Sequence, residues 1–213
     1  MAPVTEFVLS TLKPGNTIDP LYPTFATIKG YPGNLSIRAS TVHENPEQIR
    51  LFIDWDSIDS HLAARNTDAY KTYLSQILPS VAGPATVFHS ELSPFPASVL
   101  DKSPVTEVVL TYFAPGSDSP ASLAAAQKLA SALTGSGFAG STGLSAVGWT
   151  VEKEIDFKGE KARALVVLLG WESVAAQQAA RDTDAYKKVI ADFQGAAEGL
   201  KGFEISHVSA KAL

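Results

Sequence analysis

The pattern of apolar and polar positions along the first half of the chain predicts four strands, a short helix after the first strand, and one longer, interrupted helical stretch. β-Branched and apolar residues dominate the strand segments, and a longer segment with helical spacing separates the third strand from the fourth. A second capping signal at Asn66-Thr67 predicts a break within that helical segment. The predicted strands are Thr5–Leu12, Leu35–His43, Gln48–Trp55 and Ala85–Leu92, and the helical stretch is Ser57–Ile77 with Asp56 as its N-cap.

The second half of the chain repeats the first. Three segments of the first half have close counterparts in the second. The distance along the chain between a segment and its counterpart is larger for the two later pairs than for the first pair. The second copy therefore carries an insertion before its tryptophan. Self-similarity of this kind indicates two copies of one folding unit. The matching pairs are Val4–Leu9 with Val105–Leu110, Trp55–Ile58 with Trp171–Val174, and Ala64–Lys71 with Ala180–Lys187.

Prolines mark the boundary between the two copies. Pro94, Pro96 and Pro104 interrupt both helical hydrogen bonding and strand pairing. We therefore predict a first repeat at residues 1–93, a Pro-rich linker at 94–104 and a second repeat at 105–213.

Each copy has the order βαββαβ, which predicts the α+β class and a ferredoxin-like repeat with helices on one face of an antiparallel sheet. Three residues define the first helix of the second copy, which spans Ala121–Leu133. Ser119 is suited to the N-cap, Pro120 is suited to the first turn, and Gly135 is suited to the end of the helix. We expect this helix to fill the space above its sheet. The two sheets are predicted to pack face to face within the chain as an α+β barrel, a pseudo-dimer, with further self-association left open.

Composition excludes several function classes. Seventeen Lys and Arg against 22 Asp and Glu give a net charge of −5, so we expect neither nucleic acid nor a membrane surface as partner. The chain has no cysteine, which excludes disulfides and thiolate chemistry. The N-terminal residues lack the pattern of a secretory signal, and no apolar run is long enough to span a bilayer, so we expect a cytoplasmic protein.

The repeated motifs resemble a known superfamily. A Trp-(Asp/Glu)-Ser-hydrophobic turn at Trp55 and Trp171 leads into a broken helix whose second part begins Thr-Asp-Ala-Tyr-Lys. This arrangement resembles the dimeric α+β barrel superfamily, in the tandem fused form of the antibiotic-biosynthesis-monooxygenase and stress-responsive barrel families that is common in fungi. The resemblance implies a pocket in each half, between the sheet and its helices. Members include cofactor-free quinone-forming monooxygenases, cyclases, lyases and haem-degrading enzymes, so the fold alone does not define a function.

Three residues of the first repeat are candidate catalytic groups. His61 follows Trp55 on the broken helix and could act as a general base, with a solvent-facing or structural histidine as the alternative. Glu6 lies on the first strand, where the resemblance implies a pocket residue, unless it is solvated at the rim. Tyr70 could donate a hydrogen bond to a carbonyl or phenolate. The resemblance also implies that the plant cyclase mechanism is absent, since Tyr70 and Ala64 replace that enzyme's histidine and tyrosine.

Three further residues are candidates for substrate binding. Trp55 and Tyr73 could form flat walls for an aromatic ligand, although Trp55 recurs as Trp171 and a tryptophan found in both copies is often core. Arg65 could pair with a substrate anion or, alternatively, with Asp68 three residues later. His89 and His207 match approximately between the copies and are interpreted as architectural.

The sequence favours an enzyme without a cofactor. No metal site is expected, and haem ligation by His61 is a minor alternative. The hypothesis is an enzyme that acts on an aromatic or polyketide-like small molecule in the first repeat's pocket by proton transfer, cyclisation, oxygenation or elimination. The alternative is a non-catalytic barrel that binds a hydrophobic compound or takes part in a stress response.

Overall fold

The computed structural model describes residues 2–135 and 137–213, which form two compact units. The first unit runs to Ser90 and includes the C-terminal segment Val208–Leu213, and the second spans Glu91–His207. Each unit has the βαββαβ order in an α+β fold, as the sequence predicts. In residues 2–135 and 137–213, no helix has the length and apolar character needed to cross a membrane.

The first unit is an antiparallel sheet with the strand order β4-β1-β3-β2. Its first helix is short and flanked by 3-10 turns at Asp19–Leu21 and Thr27–Gly30, and the C-terminal strand β10 pairs with β2. The elements are β1 (Val4–Thr11), α1 (Tyr22–Ala26), β2 (Asn34–Val42), β3 (Asn45–Trp55), α2 (Ile58–Arg65), α3 (Asp68–Ile77), β4 (Thr86–Ser90) and β10 (Lys211–Ala212).

The second unit has the strand order β9-β5-β8-β6, with β7 paired to β8. The insertion predicted from the spacing of the repeats is present as a longer first helix and the short β7 strand. The elements are α4 (Val99–Lys102), β5 (Val105–Phe113), α5 (Pro120–Thr134), β6 (Ser141–Trp149), β7 (Ile155–Phe157), β8 (Glu160–Trp171), α6 (Val174–Arg181), α7 (Asp184–Ala196) and β9 (Gly202–Val208).

The residues between the predicted repeats form part of the second unit. Ser93, the last residue of the predicted first repeat, bridges to Val147 on β6, and Val99 and Leu100 of the predicted linker are buried on α4, so both segments lie in the second unit. Helix α4 occupies most of the second half of the 94–104 segment.

Helix capping explains why the long helical segment of the first unit is broken. Thr67 has extended backbone angles, and its hydroxyl accepts a hydrogen bond from the backbone N–H of Tyr70, so α3 begins there as predicted. The N-cap of α2 is Ser57 and not Asp56, since the Ser57 hydroxyl accepts from the N–H of Ser60. Asp56 instead accepts hydrogen bonds from the side-chain hydroxyls of Ser57 and Ser60.

A glycine lets α2 approach the sheet closely. Gly33 has a φ of +83°, in the left-handed region that favours glycine, and a Cβ there would collide with Ser60 in the first turn of α2. The matching Gly140 in the second unit has a φ of +78° and lies against Ala176 of α6. This close approach brings His61, the next residue after Ser60, onto the sheet.

The two faces of the first sheet carry different polar groups. Thr5 and Asp54 are opposite each other in the β1–β3 register, and the Thr5 hydroxyl donates to Asp54 at 2.6 Å. Arg38 on β2 donates to the same carboxylate at 2.8 Å, and both side chains are buried. Glu6, the neighbour of Thr5, therefore points to the other face, toward the helices.

Candidate active site

A cavity of about 130 Å³ lies between the sheet and the helices of the first unit. On this measure, a space of about 10–15 Å³ holds one water molecule, so the cavity has room for a small organic ligand. Its walls come from alternate residues of β1 and β3 and from α3, as the resemblance implies. The lining includes Glu6, Val8, Ser10, Ile49, Leu51, Ile53, Trp55, Tyr70 and Tyr73.

Glu6 is the carboxylate that faces this cavity. It is 2% exposed, and Trp55 Nε1 donates a hydrogen bond to its Oε2 at 2.8 Å. Glu6 is therefore buried rather than solvated at the rim. Residues opposite each other in an antiparallel pair share a face, and Glu6 is opposite Ile53 on β3 and His89 on β4.

His61 is buried behind Glu6, with 1% of its surface exposed. Its ring stacks on Trp55 with 5.1 Å between centroids and 20° between planes. His61 Nε2 is 3.5 Å from Glu6 Oε1, and His61 Nδ1 is 2.7 Å from His89 Nε2. The solvent-facing alternative for His61 is wrong, because α2 presses this residue against the sheet. His61 is not among the described residues that line the cavity.

Glu6, His61 and His89 thus lie in a row, which we call the Glu-His-His chain, with a hydrogen bond between the two histidines and a 3.5 Å approach of His61 Nε2 to Glu6 Oε1. At 2.7 Å one of the two facing histidine nitrogens donates and the other accepts. Sequence reasoning assigned His89 an architectural role. Strand pairing could have placed His89 in the site, because His89 lies opposite Glu6 once β4 is paired antiparallel to β1.

Tyr70 and Tyr73 on α3 line the cavity with their rings 5.5 Å apart. Burial, and after it the nearby charge of Glu6, raises the pKa of Tyr70 to about 12, while Arg65 has a smaller lowering effect. Burial also raises the pKa of Tyr73 well above its ordinary value. Both hydroxyls therefore keep their protons at physiological pH and are available as hydrogen-bond donors.

Arg65 lies apart from the cavity walls, exposed at the C-terminal end of α2. Asp68, its alternative partner from the sequence, accepts a hydrogen bond from Lys71 at 2.7 Å. The structure therefore brings together Glu6, Trp55, His61, Tyr70 and Tyr73, and it places Arg65 at the periphery.

The Glu-His-His chain also has the donor types of a metal site. One ligand atom from each residue lies within 4.8 Å of the others, and two imidazoles with a carboxylate form a known set for divalent iron. Two nitrogens bound at about 2.1 Å to one metal at right angles would be about 3 Å apart. The 2.7 Å contact between His61 Nδ1 and His89 Nε2 is shorter. As arranged, the two histidines fit a direct hydrogen bond better than joint binding of one metal ion.

The second unit has a cavity of about 110 Å³ in the equivalent place. The expectation that α5 fills this space is wrong, because Leu129 and Leu133 of that helix form one wall of the cavity and leave room beside α7. Glu107 and Tyr186 line it as Glu6 and Tyr70 line the first. Gln177 occupies the position of His61 in the sequence repeat.

Comparison with known proteins supports a tandem fold. Residues 23–76, within the first unit, match the family model for antibiotic biosynthesis monooxygenases. An anthrone oxidase-like protein has 13% identity, covers 99% of this chain and 92% of its own, and has a TM-score of 0.69. No curated protein sequence gives a significant match.

Two bacterial structures have the same fold over the full chain. A candidate monooxygenase from Lactobacillus acidophilus NCFM has 11% identity, covers 100% of this chain and 96% of its own, and has a TM-score of 0.62. A candidate monooxygenase from Fusobacterium nucleatum has 12% identity, covers 99% of this chain and 94% of its own, and has a TM-score of 0.59. At these identities the likeness shows the fold alone. The family match therefore lies within the first unit, and the chain as a whole shares a tandem α+β fold with these structures, as its repeated motifs indicate.

Proposed function

We propose that the first unit is the catalytic half of a cofactor-independent enzyme that removes a proton from an aromatic or polyketide-like molecule. The observation that carries this proposal is the Glu-His-His chain, buried in the protein and ending at a carboxylate on an apolar cavity. A buried carboxylate with one oxygen facing a ligand is suited to general base catalysis.

Trp55 and His61 leave the two oxygens of Glu6 in different surroundings. Trp55 holds Oε2 at 2.8 Å, whereas His61 Nε2 is 3.5 Å from Oε1. Oε1 takes the proton from the substrate in this proposal. His61 accepts that proton at Nε2 and releases its Nδ1 proton to His89 Nε2, which returns Glu6 to the carboxylate form.

Tyr70 completes the proposed site. Its hydroxyl stays protonated because its pKa is about 12, so it can donate a hydrogen bond to an oxygen that gains charge when the substrate loses its proton. The apolar walls of β1, β3 and α3 hold an aromatic ring and exclude water. A substrate with an acidic C–H bond next to a carbonyl group fits both features.

Anthrone is a suitable test substrate because it has such a C–H bond, and the anthrone oxidase-like neighbour makes it a natural first choice. Oxidation by O2 converts its methylene group to a carbonyl group. The methylene loses two hydrogens, one oxygen atom becomes the new carbonyl oxygen, and the other leaves as water. Glu6 supplies only the first proton transfer in this sequence.

The experiment measures O2 consumption and anthraquinone absorbance with the full chain after removal of metals by a chelator. We expect turnover by the wild type and a loss of at least about a hundredfold in Glu6→Gln. Glu107→Gln, the matched change in the second unit, should retain activity.

Four outcomes would contradict the proposal. Equal loss of activity in both variants would remove the assignment to the first unit, and full activity in Glu6→Gln would remove the base. Activity that returns only when Fe²⁺ is added would show that the reaction needs a metal ion and would contradict a cofactor-independent enzyme. Binding of aromatic molecules without any turnover would favour the non-catalytic alternative.

A further inference from the structure

The second unit contains a cavity of nearly the same size as the first, in the equivalent place, with one chemical difference beside its carboxylate. Glu107 and Tyr186 take the places of Glu6 and Tyr70 at its polar end, and the remaining walls are mostly apolar. Trp171 Nε1 donates to Glu107 Oε2 at 3.0 Å, as Trp55 Nε1 donates to Glu6. A carboxylate, a tyrosine and apolar walls are therefore present in both cavities, and the second cavity is also lined by Arg181, whose guanidinium can face an oxygen of the ligand.

The difference is at Gln177. Its Nε2 donates a hydrogen bond to Glu107 Oε1 at 3.0 Å, so both carboxylate oxygens of Glu107 have neutral amide or indole donors. An amide cannot accept a proton from a carboxyl group at neutral pH and pass it on, whereas an imidazole can. His207 approaches Glu107 closely enough to affect its pKa, so the second unit keeps a histidine corresponding to His89 and lacks the residue in the middle of the chain.

We infer that the second cavity is a second binding site for planar aromatic molecules with a hydroxyl or carbonyl group, and that Gln177 keeps this site from catalysing proton transfer. The choice of ligand class rests on the proposed function. The binding site itself rests on the second cavity, on Glu107 and Arg181 in its lining, and on the protonated hydroxyl of Tyr186, whose pKa burial raises above its ordinary value.

Two equivalent residues allow each cavity to be filled separately. Leu74 on α3 lines the first cavity and Ile190 at the same repeat position on α7 lines the second, and both side chains are partly exposed. A tryptophan at either position can occupy its cavity without being forced into a closed core. Leu74→Trp and Ile190→Trp are therefore matched blocking variants.

The binding test uses 1,8-dihydroxyanthraquinone, which has no methylene group to oxidise, and isothermal titration calorimetry on the full chain. We expect two molecules per chain for the wild type and one for each blocking variant. One molecule per wild-type chain, retained in Ile190→Trp and lost in Leu74→Trp, would overturn the second site and leave the proposed function intact. Binding lost only in Ile190→Trp would support the second site and contradict the proposed function. No binding in the wild type would overturn both.

The role of Gln177 is tested by exchanging the two residues, with anthrone turnover as the readout. His61→Gln should reduce turnover at least a hundredfold. Adding Gln177→His to that variant should raise turnover at least tenfold above that of His61→Gln alone. Circular dichroism and thermal melting confirm that each variant folds. No gain of activity in the folded double variant, with two ligand molecules still bound, would show that Gln177 is not what keeps the second site inactive.

Discussion

Gln177 Nε2 donates to Glu107 Oε1 at 3.0 Å, at the repeat position where His61 faces Glu6 in the first unit. One substitution between the two halves of the chain thus separates an amide-capped carboxylate from one that contacts an imidazole. The two units can therefore be compared directly, because both have the same fold, tryptophan and carboxylate, and the central histidine is present in the first unit and absent from the second.

His89 should act through His61, and two replacements at this position separate hydrogen bonding from packing. His89→Leu removes the 2.7 Å contact with His61 Nδ1, and we expect kcat to fall at least about tenfold with KM little changed, since His89 does not touch the ligand in this account. His89→Gln can still hydrogen-bond to His61 and should show a smaller loss and a displaced pH profile. Identical activity in the two variants would contradict this role.

Tyr70→Phe should weaken binding of a phenolic or carbonyl ligand. Loss of one hydrogen bond worth about 1 kcal/mol corresponds to a roughly fivefold rise in KM or Kd, with little effect on stability because the side chain is half-buried. Since the pKa of Tyr70 is about 12, its tyrosinate absorbance should stay absent up to pH 10. Tyr186→Phe is the matched control and should leave turnover unchanged. A tyrosinate signal near pH 8 that Tyr70→Phe removes would refute this assignment.

Much of this arrangement could be predicted from local sequence signals. The Thr67 cap that separates α2 from α3 and the alternate residues of β1 and β3 that line the cavity depend on nearest neighbours and strand alternation. The contact between His61 and His89 could not be predicted in this way, because it depends on how α2 crosses the sheet. The cavity in the second unit was also missed, since helix quality in α5 does not determine how α5 and α7 share the face of the sheet.

Glu107 makes the stability of the protein depend on pH. Burial raises the pKa of its carboxyl group above the ordinary value of 4.5, against smaller lowering effects from His207, Trp171, Arg181 and Gln177. The folded protein therefore holds this proton more tightly than the unfolded chain does. The resulting stability is fully present below pH 4.5 and is lost as the pH rises through the raised pKa. Glu107→Gln removes this dependence, so its free energy of unfolding should improve relative to wild type between pH 4.5 and 8.

Asp192→Asn is the control for that measurement. A hydrogen bond from Lys188 lowers the pKa of this exposed carboxyl group, so its contribution is present at neutral pH and is lost only as the pH falls below its ordinary value of 3.8. Urea titrations at several pH values should separate the two variants. A difference between wild type and Glu107→Gln that stays constant from pH 4.5 to 8 would contradict the raised pKa.

The buried pair of Arg38 and Asp54 should be a major structural contact of the first unit. Asp54→Ala leaves Arg38 without its carboxylate and also removes the acceptor of the Thr5 and Ser36 hydroxyls. We expect a loss of about 3–5 kcal/mol in the free energy of unfolding. Asp68→Ala, which breaks an exposed pair with Lys71, should have a small effect. Comparable losses in both variants would show that burial does not set the strength of the Arg38 pair.

The central claim is that Glu6 takes a proton from a ligand in the first cavity, and hydrogen exchange tests it without any oxidation step. Anthrone is incubated anaerobically in D2O with the full chain, and mass spectrometry follows deuterium entering its methylene group. The account predicts that wild-type protein and Glu107→Gln accelerate this exchange, whereas Glu6→Gln leaves it at the rate without protein. Exchange that Glu6→Gln accelerates as well as wild type does would contradict it.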